Sequence, residues 1–188
     1  EKTPYYNNFG DFRFDNMEEF ASPQEYFDIG GPSFVNYVEG IYVGYRYWET
    51  AFDEGLTETY SNVLYPFGYG LSYAEFSKTL DSVTNEDGVI TATVTVKNTG
   101  SVSGKDIVEL YYTPPYTNGG IEKSSVNLAG FVKTKELEPN ESEELQVTFK
   151  LEDMASYDAK VNKAYVLEAG DYGISLRADA HNVIATET

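Results

Sequence analysis

Val89-Ile90-Thr91-Ala92-Thr93-Val94-Thr95-Val96-Lys97 alternates apolar and polar residues with period two, and Asn98-Thr99-Gly100 ends the run. Successive side chains of a strand point to opposite faces, so this spacing predicts a strand with one buried and one wet face. Asn85-Glu86-Asp87-Gly88 supplies an Asp-Gly turn immediately before it. Downstream, similar segments recur at 106–113, stopped by Pro114-Pro115, and at 125–136, 143–151, 163–168, 173–178 and 182–186. No long helical apolar stripe interrupts them. Short strands separated by turns predict an antiparallel β-sandwich of about seven strands over residues 75–188. Period-two alternation places Val94, Val96, Val108, Leu110, Phe131, Val147, Phe149 and Tyr172 in its core.

The composition changes upstream of residue 74. Residues 1–36 are rich in aromatics, Asn, Asp and Gly with little periodicity, as in Pro4-Tyr5-Tyr6-Asn7-Asn8-Phe9-Gly10. They read as an arm anchored by aromatics. Only 22–27 looks like a helical turn, with Ser22 as N-cap and Pro23 at the first position. Residues 37–48, Tyr-Val-Glu-Gly-Ile-Tyr-Val-Gly-Tyr-Arg-Tyr-Trp, are dense in β-branched and aromatic residues and read as one strand. Tyr65-Pro66-Phe67-Gly68-Tyr69-Gly70-Leu71-Ser72-Tyr73 reads as a rigid, packed connector. Pro66 fixes its φ, and the two glycines admit a close or left-handed backbone. The chain thus divides into an incomplete piece, 1–74, and a complete sandwich, 75–188.

The 188 residues carry 13 Lys+Arg against 31 Asp+Glu, a formal net charge of −18. Such a surface repels phosphate backbones and anionic membrane faces, which argues against nucleic-acid and membrane partners. With no cysteine, disulfides, thiolate metal sites and cysteine catalysis are excluded, and the single histidine excludes a multi-histidine metal site. No signal peptide and no membrane span are visible, and a start at Glu1 suggests a processed chain or a fragment. The compartment, cytoplasmic or secreted, stays open.

Glu39-Gly40-Ile41-Tyr42-Val43-Gly44-Tyr45-Arg46-Tyr47-Trp48, followed by Tyr65–Tyr73, resembles the end of the α/β-sandwich domain of family 3 glycoside hydrolases, the β-glucosidase and β-xylosidase type. Val94–Gly100, Gly104–Tyr112, Leu128-Ala129-Gly130-Phe131 and Leu137–Ser142 leading into Val147-Thr148-Phe149 resemble that family's C-terminal fibronectin type III-like domain. The resemblance covers roughly residues 37–178. It implies a mainly β fold: a fibronectin type III-like, immunoglobulin-like sandwich preceded by the terminal strand and connector of an α/β domain. It also implies a parent that is a retaining exo-acting β-glucosidase, whose partners for this chain are its TIM-barrel and α/β-sandwich domains.

The resemblance supplies no catalytic residue here. Retaining hydrolysis needs two carboxyl groups about 5–5.5 Å apart across the sugar. The family's Ser-Asp-Trp nucleophile motif is missing, since the only Trp is Trp48, preceded by Tyr47. The family's acid/base Glu lies upstream of the region that matches. The isolated chain is therefore expected to be inactive, with no cofactor and no metal site assigned. The pairs Glu18/Glu19, Asp53/Glu54, Glu136/Glu138 and Glu143/Glu144 read as solvated acidic faces, although Asp53-Glu54 could join loop carbonyls at a cation. His181 reads as a surface histidine without a sequence-local partner. Asn140-Glu141-Ser142 matches a glycosylation acceptor, but a turn with Asn at positive φ accounts for it. Tyr45 and Tyr47 read as packing residues between domains. Trp48 is the candidate substrate contact, because an aromatic face can stack on sugar C–H surfaces.

Two functions follow. The first is the C-terminal bracing part of a β-glucosidase. The second is a stand-alone β-sandwich binding or adhesion module, against which the 39–48 strand and the 65–73 connector count. An orphan strand exposes unpaired backbone groups. Its covering is expected from a second copy (a homo-oligomer), from residues 1–36, or from the rest of the enzyme.

Overall fold

The computed structural model describes residues 40–56 and 60–188, and residues 41–188 belong to one compact unit. The expected helical turn at 22–27, the 1–36 arm, the Glu18/Glu19 pair and Glu39 lie outside the described residues.

Nine strands are described: β1 (Phe76–Glu86), β2 (Val89–Asn98), β3 (Ile107–Thr113), β4 (Asn127–Lys133), β5 (Ser142–Lys150), β6 (Ser156–Asp158), β7 (Ala164–Val166), β8 (Gly173–Arg177) and β9 (Val183–Glu187). Seven of them build a two-sheet antiparallel sandwich, as expected, but the strand expected at 163–168 is β7 and lies outside both sheets. One antiparallel sheet has the order β1-β2-β5 and the other β4-β3-β8-β9, while β6-β7 is a separate hairpin. The turn before β2 has Asp87 and Gly88 at positive φ, as the Asp-Gly pair requires. Asn140 also has a positive φ of 69°, consistent with its reading as a turn residue.

The inner faces meet as the alternation of β2 dictates. Ile90, Ala92, Val94 and Val96 pack with Val108 and Leu110 of β3, Val147 and Phe149 of β5, and Ile174 and Leu176 of β8. Tyr172 is partly buried against the same core. Phe131 departs from expectation and is 64% exposed. Val108 faces Val132 across the β3-β4 pair, and the register shifts between Leu110 and Tyr111. Val132 therefore takes the inward position and Phe131 the outward one, the face reversal produced by a slip of one residue. Gly130 is inward, and a Cβ there would lie 2.8 Å from a Val147 methyl.

Asn98 closes the end of β2. It is fully buried, and its Nδ2 donates to the carbonyls of Val102 at 2.8 Å and Leu137 at 2.9 Å. Its Oδ1 accepts from Gly100 N–H. These bonds satisfy polar groups that burial would otherwise leave unpaired.

The strand expected at 37–48 is not present among the described residues. Gly40 and Gly44 have φ of 58° and 60°, which break an extended backbone, and Tyr45–Asp53 is an α-helix, α1. Tyr45, Trp48, Glu49 and Phe52 stand at the i, i+3, i+4, i+7 spacing of one helical face. Gly55, at φ 68°, ends the helix: its N–H donates to Phe52 O, and Leu56 N–H donates to Ala51 O. That pair of bonds is a Schellman cap. Aromatic density gave the strand reading, but glycine placement and the helical spacing decide the conformation.

Candidate functional site

The outer face of the four-stranded sheet is where this chain departs from a plain sandwich. Alternation puts Val108 and Leu110 inward and leaves Glu109 and Tyr111 on the outer face, yet all four are buried. In β8, Ser175 and Arg177 on the outer face are buried as well as Ile174 and Leu176. A strand buried on both faces needs a second layer. The connector and α1 supply it.

Tyr45 of α1 lies stacked on Phe67 of the connector, centroids 4.7 Å apart, and meets Tyr111 edge-on at 6.1 Å. Its hydroxyl accepts from Leu128 N–H at 3.0 Å. The connector is pinned at two points. Phe67 O accepts from Ala180 N–H at 2.8 Å, and Gly68, at φ 88°, lies so close to Glu109 that a Cβ would stand 2.3 Å from a carboxylate oxygen. This is the close approach that Gly68 was expected to permit. Ser125 N–H donating to Thr50 Oγ1 at 3.0 Å ties α1 to the loop before β4.

A polar network runs through the seam. Glu49 is 2% exposed and accepts from the Tyr60 hydroxyl, and His181 Nδ1 is 3.0 Å from its other oxygen. The His181 ring stacks on Tyr60 at 3.8 Å and meets Phe52 edge-on at 4.9 Å. The expectation of a surface histidine is thus corrected: His181 is partly buried, and its partner comes from 132 residues away in sequence. Arg177 donates to Ser175 Oγ and Ala180 O and sits over the Tyr111 ring. Tyr111 donates to Glu109 at 2.7 Å. Asp179 accepts from His181 N–H and Asn182 N–H, which fixes the turn that carries His181.

Burial raises the Glu49 and Glu109 carboxyls above their ordinary value, against the lowering effect of the hydrogen bonds from Tyr60 and Tyr111. Burial also lowers Arg177, opposed by the Glu49 charge. A carboxyl with a raised folded-state pKa stabilises the fold fully below its unfolded pKa. That contribution is lost as pH rises through the folded value. Part of the stability is therefore expected to fall as pH rises above about 4.5, the ordinary carboxyl value. Glu49→Gln should flatten that part. Thermal melting of both proteins at pH 4.5 and 7.5 checks this, and equal slopes would contradict it.

Beside α1 lies a cleft of about 370 Å³ whose walls include Tyr42, Tyr47, Leu56, Pro114, Tyr116 and Ser125. Trp48, the residue read as a substrate contact, is 7% exposed, and its ring meets Tyr47 edge-on at 5.1 Å. Asp53 and Glu54 lie at the exposed end of α1. Among the described residues, no three His, Cys, Asp or Glu side chains are grouped to hold a metal ion. Sequence reasoning missed Glu49, Tyr60, Glu109 and Arg177. The available signal was polar residues between apolar ones in β3 and β8, opposite an aromatic-rich segment.

Residues 106–180 match the family model of the fibronectin type III-like domain. The chain carries a fibronectin type III-like domain. Relatives place that domain in context. Beta-glucosidase A of Butyrivibrio fibrisolvens is 40% identical over 174 residues, covering 83% of this chain and 20% of the relative. The beta-glucosidase of Ruminococcus albus is 39% identical, covering 78% of this chain and 15% of the relative. Among solved structures, beta-glucosidase 3B from Thermotoga neapolitana superposes with a TM-score of 0.69 at 34% identity, covering 81% of this chain and 20% of that one. A beta-glucosidase from Paenibacillus barengoltzii gives 0.68 at 40% identity, covering 79% and 16%. The chain spans about a fifth or less of the length of these relatives. The fibronectin type III-like domain and the seam before it are thus similar to one part of larger β-glucosidases.

Proposed function

We propose that this chain is the C-terminal, non-catalytic part of a retaining exo-acting β-glucosidase of glycoside hydrolase family 3, which releases terminal β-glucosyl residues. In this reading residues 1–74 end an α/β-sandwich domain, and residues 75–188 brace it and a TIM barrel. The observation that carries it is the two-sided burial of β3 and β8 beneath α1 and the connector. A sandwich built to work alone has a wet outer face there. This one is locked onto the end of a preceding element by the Tyr45–Phe67–Tyr111 stack and by Glu49–His181.

A second feature supports a missing partner over a stand-alone module. Leu64, just before the connector, and Leu71 and Tyr73 within it are 88%, 89% and 101% exposed. A run of large apolar side chains left in water marks an interaction surface. Trp48, 7% exposed in this chain, is kept as a substrate contact whose ring the other domains would have to uncover. Truncating the parent enzyme after residue 74 should abolish hydrolysis of an aryl β-glucoside, because α1 and the connector lose the sheet they pack on. Full turnover by the truncated enzyme would defeat the bracing role.

A further inference from the structure

The β6-β7 hairpin carries a second exposed aromatic feature. Tyr157 and Tyr165 are direct cross-strand partners, 47% and 75% exposed, with ring centroids 5.3 Å apart and planes at 67°. The hairpin is held rigid by Asp158, whose carboxylate accepts from the N–H groups of Lys160, Val161 and Asn162 and from Asn162 Nδ2. Tyr165 and Leu167 also form one wall of an open cleft of about 770 Å³ that includes Asp87, Lys150 and Glu152. Lys150 and Glu152 pair with each other at 2.9 Å and stay solvated, so both keep hydrogen-bonding capacity toward a ligand.

We propose that this tyrosine corner and the cleft beside it bind a neutral β-glucan chain. The inference rests on the β-glucosidase reading for its substrate class. Three observations favour that ligand. Tyr157, Tyr165 and Leu167 expose on the order of a few hundred Å² at most, below the roughly 800 Å² per partner of a stable protein interface. The rim carboxylates and the net charge of −18 oppose an acidic polymer but accept hydrogen bonds from hydroxyls. A β-glucopyranose has equatorial hydroxyls and axial C–H bonds on both ring faces, so it can lie against an aromatic face while its rim reaches Asp87, Lys150 and Glu152. The two rings stand as a corner, which receives adjacent sugars against different faces.

Affinity electrophoresis of the 188-residue chain in gels containing a soluble β-1,3/1,4-glucan tests this, with dextran and galactomannan gels as controls. The β-glucan gel should retard the chain and the control gels should not. Tyr165→Ala and Tyr157→Ala should each weaken retardation by about tenfold or more without lowering the melting temperature, because the rings are exposed. Tyr73→Ala, at a ring exposed on the connector, should bind as the parent chain does. No retardation, equal retardation by dextran, retardation unchanged in Tyr165→Ala, or loss in Tyr73→Ala would each overturn the assignment. The readout involves no hydrolysis, so its failure leaves the β-glucosidase reading intact. That reading fails instead if the full-length parent enzyme releases no glucose from an aryl β-glucoside.

Discussion

Leu110→Ala is expected to lower stability by about 2–5 kcal/mol, a drop in melting temperature of roughly 10 °C. Leu110 is fully buried at the centre of the four-stranded sheet, opposite Gly130 on one side and Leu176 on the other. Gly130 brings no side chain to refill the space, and Leu176 is already packed. The loss therefore combines transfer free energy with a cavity that cannot collapse. Phe131→Ala in the neighbouring strand provides the contrast, because its ring is mostly in water. It should cost less than about 1 kcal/mol. Denaturant unfolding of the two variants checks the register of β4 as well as the core. Equal losses would mean that Phe131 is inside.

Gly68→Ala is expected to release the connector from the sheet. The new methyl would stand 2.3 Å from a Glu109 oxygen on a backbone with φ of 88°. Glu109 is held by the Tyr111 hydroxyl and cannot move aside without breaking that bond. Left-handed strain of about 1–2 kcal/mol adds to the clash. Together they should raise hydrogen exchange at Ala180 N–H, which donates to Phe67 O, on the order of a hundredfold. Gly70→Ala is the control. Nothing lies within 4 Å of a Cβ there, so exchange at Ala180 should not change.

The sandwich was legible because β2 repeats an apolar residue at every second position from Ile90 to Val96, and because Pro, Gly and Asn punctuate the strands that follow. Local periodicity carries that information in full. The errors have physical causes of a different kind. The register of β4 depends on a shift opposite Tyr111, which no local pattern in Ala129–Val132 announces. The 45–53 segment has strand-like composition, and its helical character lies in the spacing of Tyr45, Trp48, Glu49 and Phe52 and in the Gly55 cap. The β6 strand, three residues long, is too short to show alternation.

The seam was legible only in part. Tyr45 packs as read, on Phe67 and Tyr111, but of the connector read as packed only Phe67 and Gly68 meet the sheet and α1, while Tyr65, Leu71 and Tyr73 are largely exposed. Glu109 and Arg177 stand at polar positions of their strands, and what covers them is distant in sequence. His181 had no visible partner for the same reason. Long-range burial of a polar residue leaves no local mark beyond the residue itself.

As proposed, this chain contributes structure, not catalytic carboxylates, to a β-glucosidase. The most direct measurement is hydrolysis of an aryl β-glucoside by the pure 188-residue chain. Release of the aryl alcohol at the uncatalysed rate is predicted. Turnover above that rate, abolished by substituting one of the chain's own carboxylates with its amide, would show that the chain carries catalytic carboxylates of its own.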